Sequence, residues 1–239
     1  HDALPICLKK ELFTGIRNLR IITPSEWLKA RVKESFLKDY PVDTIPTGID
    51  LNTFKPEKSD LRERNALTGK KILLGAANPW RDRKELRDFK KLASSLGEDK
   101  VIVMIGLSKK QAGSMKAYKN VIPVLKTDSV KEMAEWYSTA DIYVNLTYGD
   151  TFPTTNIEAL ACGTPVITYD AGGSGEIVDE ATGMIIEKGN LESVISAIEK
   201  LADSYVNRDA DIKENCITRA TLYRKQDKYR EYHELYKKV

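Results

Sequence analysis

The sequence predicts an α/β fold: a Rossmann-like parallel sheet, preceded by a short strand-helix-strand unit. Three observations carry this. Short apolar runs alternate with helical stretches along the chain, the rhythm of βα units. Within those runs the apolar residues are continuous rather than alternating, as in strands covered on both faces. No internal repeat or low-complexity stretch interrupts the pattern.

In chain order, the strands are expected at Ile21-Ile22, Val42–Ile45, Lys71–Ala76, Val101–Ile105, Val121–Val124, Asp141–Leu146, Pro165–Tyr169 and Met184–Ile186. Thr23-Pro24-Ser25-Glu26 reads as a capping box with proline at the first helical position. Leu28, Val32 and Phe36 then form the apolar stripe of that helix. A helix over Asp128–Thr139 is expected to bury Met133, Trp136 and Tyr137. Another, over Asn190–Asp203, places Leu191, Val194, Ile198 and Leu201 at core spacing, and Asp211–Val239 reads as one long helix. Pro46, Gly48 and Pro56 suggest a turn or hinge in Ile45-Pro46-Thr47-Gly48-Ile49-Asp50 and Phe54-Lys55-Pro56. The expected division is a first unit over residues 1–46, a linker over 47–56, a Rossmann-like domain over 57–206 and a C-terminal helix over 207–239. The first unit is too small to fold alone, and two strands need partners. The sequence therefore reads as the later part of a longer protein.

Composition narrows the function. The 239 residues are 41% hydrophobic, enough for a real core. With 38 basic against 35 acidic residues, the net charge of +3 makes no case for nucleic acid, and no basic motif interleaves with aromatics. The longest apolar stretch, Val101–Leu107, is too short to span a bilayer, and residues 1–30 lack a signal-peptide layout. Cys7, Cys162 and Cys216 are far apart and odd in number, neither a metal cluster nor a disulfide framework, so a reducing cytosol is the simplest compartment. Asn145-Leu146-Thr147 is a formal glycosylation sequon, but it sits in a strand-like run and carries no weight.

The segment Asp150-Thr151-Phe152-Pro153-Thr154-Thr155-Asn156-Ile157-Glu158 follows a strand and opens a helix near Pro153. Ligands of open α/β sheets bind beyond the carboxyl ends of the strands. A helix start there offers the free N–H groups of Thr154 and Thr155 and the positive end of the helix dipole, an anion site. Asp150 and Glu158 flank it, and a carboxylate can accept two hydrogen bonds from a vicinal diol. The competing reading makes Asp150 a loop cap and Glu158 a paired surface charge. Upstream, Gly75-Ala76-Ala77-Asn78-Pro79-Trp80-Arg81-Asp82-Arg83-Lys84 leaves a strand and opens a helix near Lys84. Arg83 and Lys84 there either neutralise a diphosphate or form a solvated basic turn. Trp80 either covers a ligand or packs between domains. Gly172-Gly173-Ser174-Gly175-Glu176 permits a tight turn or a close backbone approach without being a dinucleotide fingerprint. Asp209-Ala210-Asp211 reads as a helix cap rather than a metal site.

These motifs together resemble the donor half of a retaining glycosyltransferase of the GT-B fold, glycosyltransferase family 4. The resemblance rests on Asp150-x7-Glu158, on Ala159-Leu160-Ala161-Cys162-Gly163-Thr164-Pro165-Val166-Ile167 and on Gly172-Gly173-x-x-Glu176. Tyr137-Ser138-x-Ala140-Asp141, Thr23-Pro24-Ser25-x-Trp27-Leu28 and Pro46-x-Gly48-Ile49-Asp50-x-x-x-Phe54-x-Pro56 extend it over nearly the whole chain. It implies that Glu158 binds the ribose hydroxyls and that Asp150 contacts the transferred sugar. Phe152, Thr154 and Thr155, around Pro153, would hold the distal phosphate through backbone N–H groups. Lys84 and Arg83 would neutralise the diphosphate, with Asn78 standing where the family has an arginine. The base would lie against the backbone of Pro123, Val124 and Leu125. Asp150 stands for a glutamate, Glu85 for a glycine and Thr47 for an asparagine.

The activity so implied is transfer of a hexose or related sugar from a nucleotide diphosphate-sugar, with retention, in polysaccharide or cell-surface glycan synthesis. The acceptor, a glycan or lipid-linked molecule, would bind a preceding domain of which residues 1–46 are the end. No enzyme nucleophile, metal or cofactor beyond the donor is implied. The stretch from Arg219 holds seven basic and three acidic residues, a face that could approach anionic lipid, though a plain solvated helix face is the preferred reading. The expected location is cytoplasmic, with peripheral contact at the inner membrane face. The rival readings are a donor-binding fragment without turnover and a nucleotide-sugar epimerase of the same fold.

Overall fold

The computed structural model describes residues 5–77, 80 and 83–237. The first unit comprises α1 (Ile6–Phe13), β1 (Ile21–Thr23), α2 (Glu26–Lys33) and β2 (Val42–Thr44). β1 and β2 pair in parallel, Ile21 opposite Val42, as a two-stranded sheet of their own. The linker leads through α3 (Leu61–Arg64) to a second sheet. Its strands are β3 (Lys71–Ala76), β4 (Lys100–Ile105), β5 (Val121–Val124), β6 (Ile142–Asn145), β7 (Val166–Tyr169) and β8 (Gly183–Ile186). Between and after them run α4 (Arg83–Ser95), α5 (Lys109–Met115), α6 (Val130–Thr139), α7 (Thr154–Ala161), α8 (Leu191–Thr221) and α9 (Lys225–Tyr236).

The six strands are all parallel, in the order β5-β4-β3-β6-β7-β8. This is the doubly wound order, and its direction of winding reverses between β3 and β6. Successive residues of one strand serve opposite layers. Ile72, Leu74, Val103, Tyr143 and Val166 pack with α6 and α7, while Leu73, Ile102, Met104, Ile142 and Ile167 pack with Phe89 and Leu92 of α4 and Val194 and Ile198 of α8. Both faces are covered, which is why the strands read as unbroken apolar runs.

The structure departs from the sequence reading in several places. Ser25, not Thr23, caps α2: its hydroxyl accepts the Leu28 N–H at 3.2 Å. Thr23 belongs to β1, so Pro24 precedes the helix instead of starting it. α2 ends at Lys33, which leaves Phe36 beyond it. α1, α3 and α5 have no counterpart in the sequence reading, although Ser108 and Gln111 form a full capping box at the start of α5. The stretch 191–221 is one helix, because no glycine or proline interrupts it. Asp209-Ala210-Asp211 thus lies inside α8 rather than at a helix start, and the last segment is two helices instead of one.

The break between α8 and α9 is imposed from outside. Ile49 of the linker donates its N–H to the Tyr223 carbonyl and accepts the Lys225 N–H, each at 2.9 Å. The linker crosses so closely that a Cβ on Gly48 would lie 2.7 Å from the Lys225 Cα, so only glycine fits there.

Candidate functional site

A cavity of about 540 Å³ opens beyond the carboxyl ends of the strands, at the switch between β3 and β6. Ala76 and Ala77 close it on the β3 side, and Ile105 and Gly106 at the end of β4. Leu125, Lys126 and Thr127 follow β5; Val130, Met133 and Tyr137 come from α6; Thr155 and Glu158 from α7; and Phe54 from the linker. Met133, expected in the core, is half-buried on this wall.

Glu158 is the carboxylate of the cavity. It stands in the second turn of α7, and its Oε2 accepts the Tyr137 hydroxyl at 3.0 Å. Tyr137 is wholly buried and held from three sides. Thr164 donates to its carbonyl at 2.5 Å, and the rings of Tyr143 and Phe54 meet it edge-on at 5.4 and 6.1 Å. Burial pushes the Glu158 carboxyl above its usual range, while hydrogen bonds from Tyr137 and Thr154 pull it back. Tyr143, whose hydroxyl donates to the Ala76 carbonyl at 3.2 Å, ties this group to the end of β3. Burial raises its phenol as well, so it stays a neutral donor.

α7 begins at Thr154 with Pro153 as its N-cap and no side chain capping it. The helix start expected at Thr154 and Thr155 thus carries no capping side chain, and Thr155 also lines the cavity. Phe152 differs from the expectation. Its N–H donates to Asp150 Oδ1 at 2.9 Å, which leaves that donor occupied, and its ring packs edge-on against Tyr223 at 5.6 Å. Asp150 is exposed and outside the cavity lining; its carbonyl accepts the Gly173 N–H at 2.9 Å. Of the two readings of Asp150, the loop cap is the one realised in this structure.

Lys84, in the first turn of α4, is exposed and outside the lining; its Nζ lies 5.3 Å from the centre of the Tyr148 ring. Tyr148 precedes Asp150 in the β6–α7 loop, so the basic turn and that loop meet through this pair. Tyr148 donates to buried Asp88 at 2.6 Å, and Tyr169 shares the same carboxylate oxygen at 3.1 Å. Arg83 opens α4, and Asn78 lies outside the described residues. Glu85 is buried at the start of the same helix. Trp80 is buried as well, its indole donating to the Ile105 carbonyl at 2.7 Å, which favours packing over ligand cover.

Leu125 lines the cavity, 44% exposed. Val124 is outside the lining, and its carbonyl accepts the Gly106 N–H at 2.9 Å. The wall beyond β5 thus runs from Leu125 to Thr127 rather than back toward Val124. Sequence reasoning missed Phe54, Val130 and Met133 as wall residues and took Tyr137 for core alone. The only available signal was that Met133 and Tyr137, four apart, share a face of α6.

The buried thiols of Cys162 and Cys216 are pushed up to about 12, so they are neutral and not nucleophilic. Among the described residues no group of three His, Cys, Asp or Glu could hold a metal ion, and no helix is long and apolar enough to cross a membrane.

An open parallel sheet in this order, with a carboxylate-bearing cavity at its switch point, is a Rossmann-like architecture. It matches solved glycosyltransferase structures of the GT-B fold. Sucrose-phosphate synthase from Thermosynechococcus elongatus superposes with a TM-score of 0.81 at 23% identity, covering 98% of this chain and 61% of that one. HepE of Anabaena in complex with UDP superposes with a TM-score of 0.80 at 16% identity, covering 98% of this chain and 67% of that one. Residues 57–219 match the family described as glycosyl transferases group 1, and the chain belongs to that family. D-inositol 3-phosphate glycosyltransferase of Pseudarthrobacter chlorophenolicus is 27% identical over 208 residues, 79% of this chain and 49% of that protein. GDP-mannose-dependent alpha-mannosyltransferase of Mycobacterium tuberculosis is 30% identical over 151 residues, 61% of this chain and 38% of that protein. The chain spans about half the length of the first of these relatives.

Proposed function

We propose that the chain is the donor-binding part of a retaining glycosyltransferase of family 4, one that moves a sugar from a nucleotide diphosphate-sugar to a glycan or lipid-linked acceptor. The observation that carries this is Glu158, a half-buried carboxylate held by Tyr137 on the wall of a cavity at the switch point. Such a group has an oxygen to offer a ribose diol and a rigid helix behind it. The family membership, and a GT-B neighbour solved with UDP, point the same way.

As the glycosidic bond breaks, negative charge grows on the departing diphosphate. Lys84, Arg83 and the N-terminus of α7 would stabilise it electrostatically, and the diphosphate would accept the proton of the incoming hydroxyl on the same face. Asp150 would approach the sugar by leaving its bond to Phe152 or by using its second oxygen. Residues 1–46 would complete an acceptor-binding domain, which fits the small, separate β1–β2 sheet. The same sheet favours the second reading, a donor-binding fragment that needs that domain for turnover. An epimerase would need acid and base groups facing the sugar, and Glu158 is the one carboxylate in the described cavity lining. A cytoplasmic location with peripheral membrane contact follows from a lipid-linked acceptor.

The test is thermal stabilisation by UDP, GDP, ADP and their sugars. A ligand at about 100 times its dissociation constant adds roughly 2.7 kcal/mol, and each kcal/mol shifts Tm by about 2–4 °C at this size. A shift with one base, lost in Glu158→Ala, supports the reading. No shift with any of them overturns it.

A further inference from the structure

Glu176 lies outside the cavity and spans a junction between two parts of the chain. It sits in the 3-10 turn Ser174–Glu176 after β7, yet its carboxylate reaches the first unit. Oε2 accepts the Glu26 N–H at 2.9 Å and Oε1 accepts the Trp27 N–H at 2.7 Å. These are the first two orphan donors of α2, and a carboxylate there also faces the positive end of the helix dipole. With Ser25 taking the Leu28 N–H, the N–H groups of the first three residues of α2 are all bonded, two of them by a residue about 150 positions away.

The backbone around Glu176 is held from behind. Arg219 donates to the carbonyls of Glu176 and Ile177, each at 2.9 Å. In front, the same loop is welded to the segment before α7. Gly172 bridges Asp150, and the Gly173 N–H donates to the Asp150 carbonyl. A Cβ on Gly172 would lie 1.8 Å from the Asp150 oxygen; one on Gly173 would lie 2.2 Å from the Thr151 oxygen and 2.8 Å from the Ser25 Cβ. Gly173 is therefore pressed between the first unit and the β6–α7 loop, and no side chain fits there.

We infer that Glu176 is a positioning residue that locks the first unit to the β6–α7 loop, so that the setting of α2 and the setting of residues 150–153 cannot change independently. The lock itself follows from the contacts above. Its consequence, that donor occupancy and the orientation of the first unit are linked, rests on the donor-site reading of α7. Linkage of this kind is reciprocal.

Amide hydrogen exchange on the full chain tests it in two arms. In Glu176→Gln, exchange should quicken at Glu26 and Trp27 by about fivefold, the size of a lost helix cap. It should quicken also at Phe152 and Gly173, which Glu176 does not touch. Quickening confined to residues 26–28 would mean a plain helix cap and overturn the proposal. The second arm needs only the wild-type chain with UDP as probe, and so stands even where the variant folds poorly. Slower exchange at both 152–155 and 26–27 supports the lock, and protection of 152–155 alone overturns it. Protection of neither segment counts against the donor site instead, and the variant arm then decides the lock by itself.

Discussion

Asp150 and Glu158 stand at the two ends of one short segment, and the molecule treats them in opposite ways. Glu158 rides on a packed helix, half-buried, its carboxyl raised by burial and held by a tyrosine that is itself fixed in the core. Asp150 is exposed on a loop, its carboxylate spent on Phe152 of that same loop and its carbonyl on Gly173 of the loop after β7. The same residue class thus stands rigidly on a cavity wall at one end and builds a loop at the other. Burial and the source of the hydrogen-bond donors separate them.

The harshest way to break this contrast is at Gly172. Its φ of +67° and the 1.8 Å approach leave no space for a methyl group. Gly172→Ala should cost at least about 3 kcal/mol, read by denaturant unfolding, and should shift the loop at Asp150 without reaching Glu158. Next comes Glu158→Ala, which should leave unfolding cooperative while nucleotide affinity falls by about 1.5–3 kcal/mol in titration calorimetry. An unchanged affinity would sink the ribose role.

The titration of Glu158 sharpens the comparison further. Its folded pKa lies above the unfolded one, so the folded state holds the extra proton between the two values. Stability of the free protein should therefore rise as pH falls through that window, the reverse of an ordinary paired carboxylate. Nucleotide affinity should fall over the same range, because a protonated carboxyl accepts fewer hydrogen bonds. Affinity constant down to the usual carboxylate range would contradict the raised pKa. Tyr137→Phe removes the larger of the two donors that lower it, so the loss of affinity should begin at higher pH, and stability should drop by about 1 kcal/mol. The smallest effect is expected at Asp150→Asn, which keeps an oxygen for the Phe152 N–H. Its stability should change by less than about 0.5 kcal/mol, and the affinity for a nucleotide without sugar should stay the same.

Lys84 illustrates where reading the chain falls short. Its place at the opening of α4 is visible in the sequence, but its neighbour Tyr148 is not, since the two meet only once β3 and β6 lie side by side. Asp88 and Tyr169, which hold Tyr148, come from two further elements.

What the sequence determined by itself is local. Continuous apolar runs specify a sheet buried on both faces, and a strand followed by Phe152-Pro153-Thr154-Thr155 specifies a helix start at a strand end. Each signal lies within a few residues of the feature it encodes, because backbone periodicity and capping act over one turn. The tertiary structure decided the rest. It ended α8 at Thr221, where the Ile49 bonds and not a glycine or proline break the helix. It paired Glu158 with Tyr137, turned Met133 toward the cavity, and gave the start of α2 to a carboxylate from beyond β7. Those contacts join segments far apart in the chain, and their energy depends on burial and distance that no short window of sequence records.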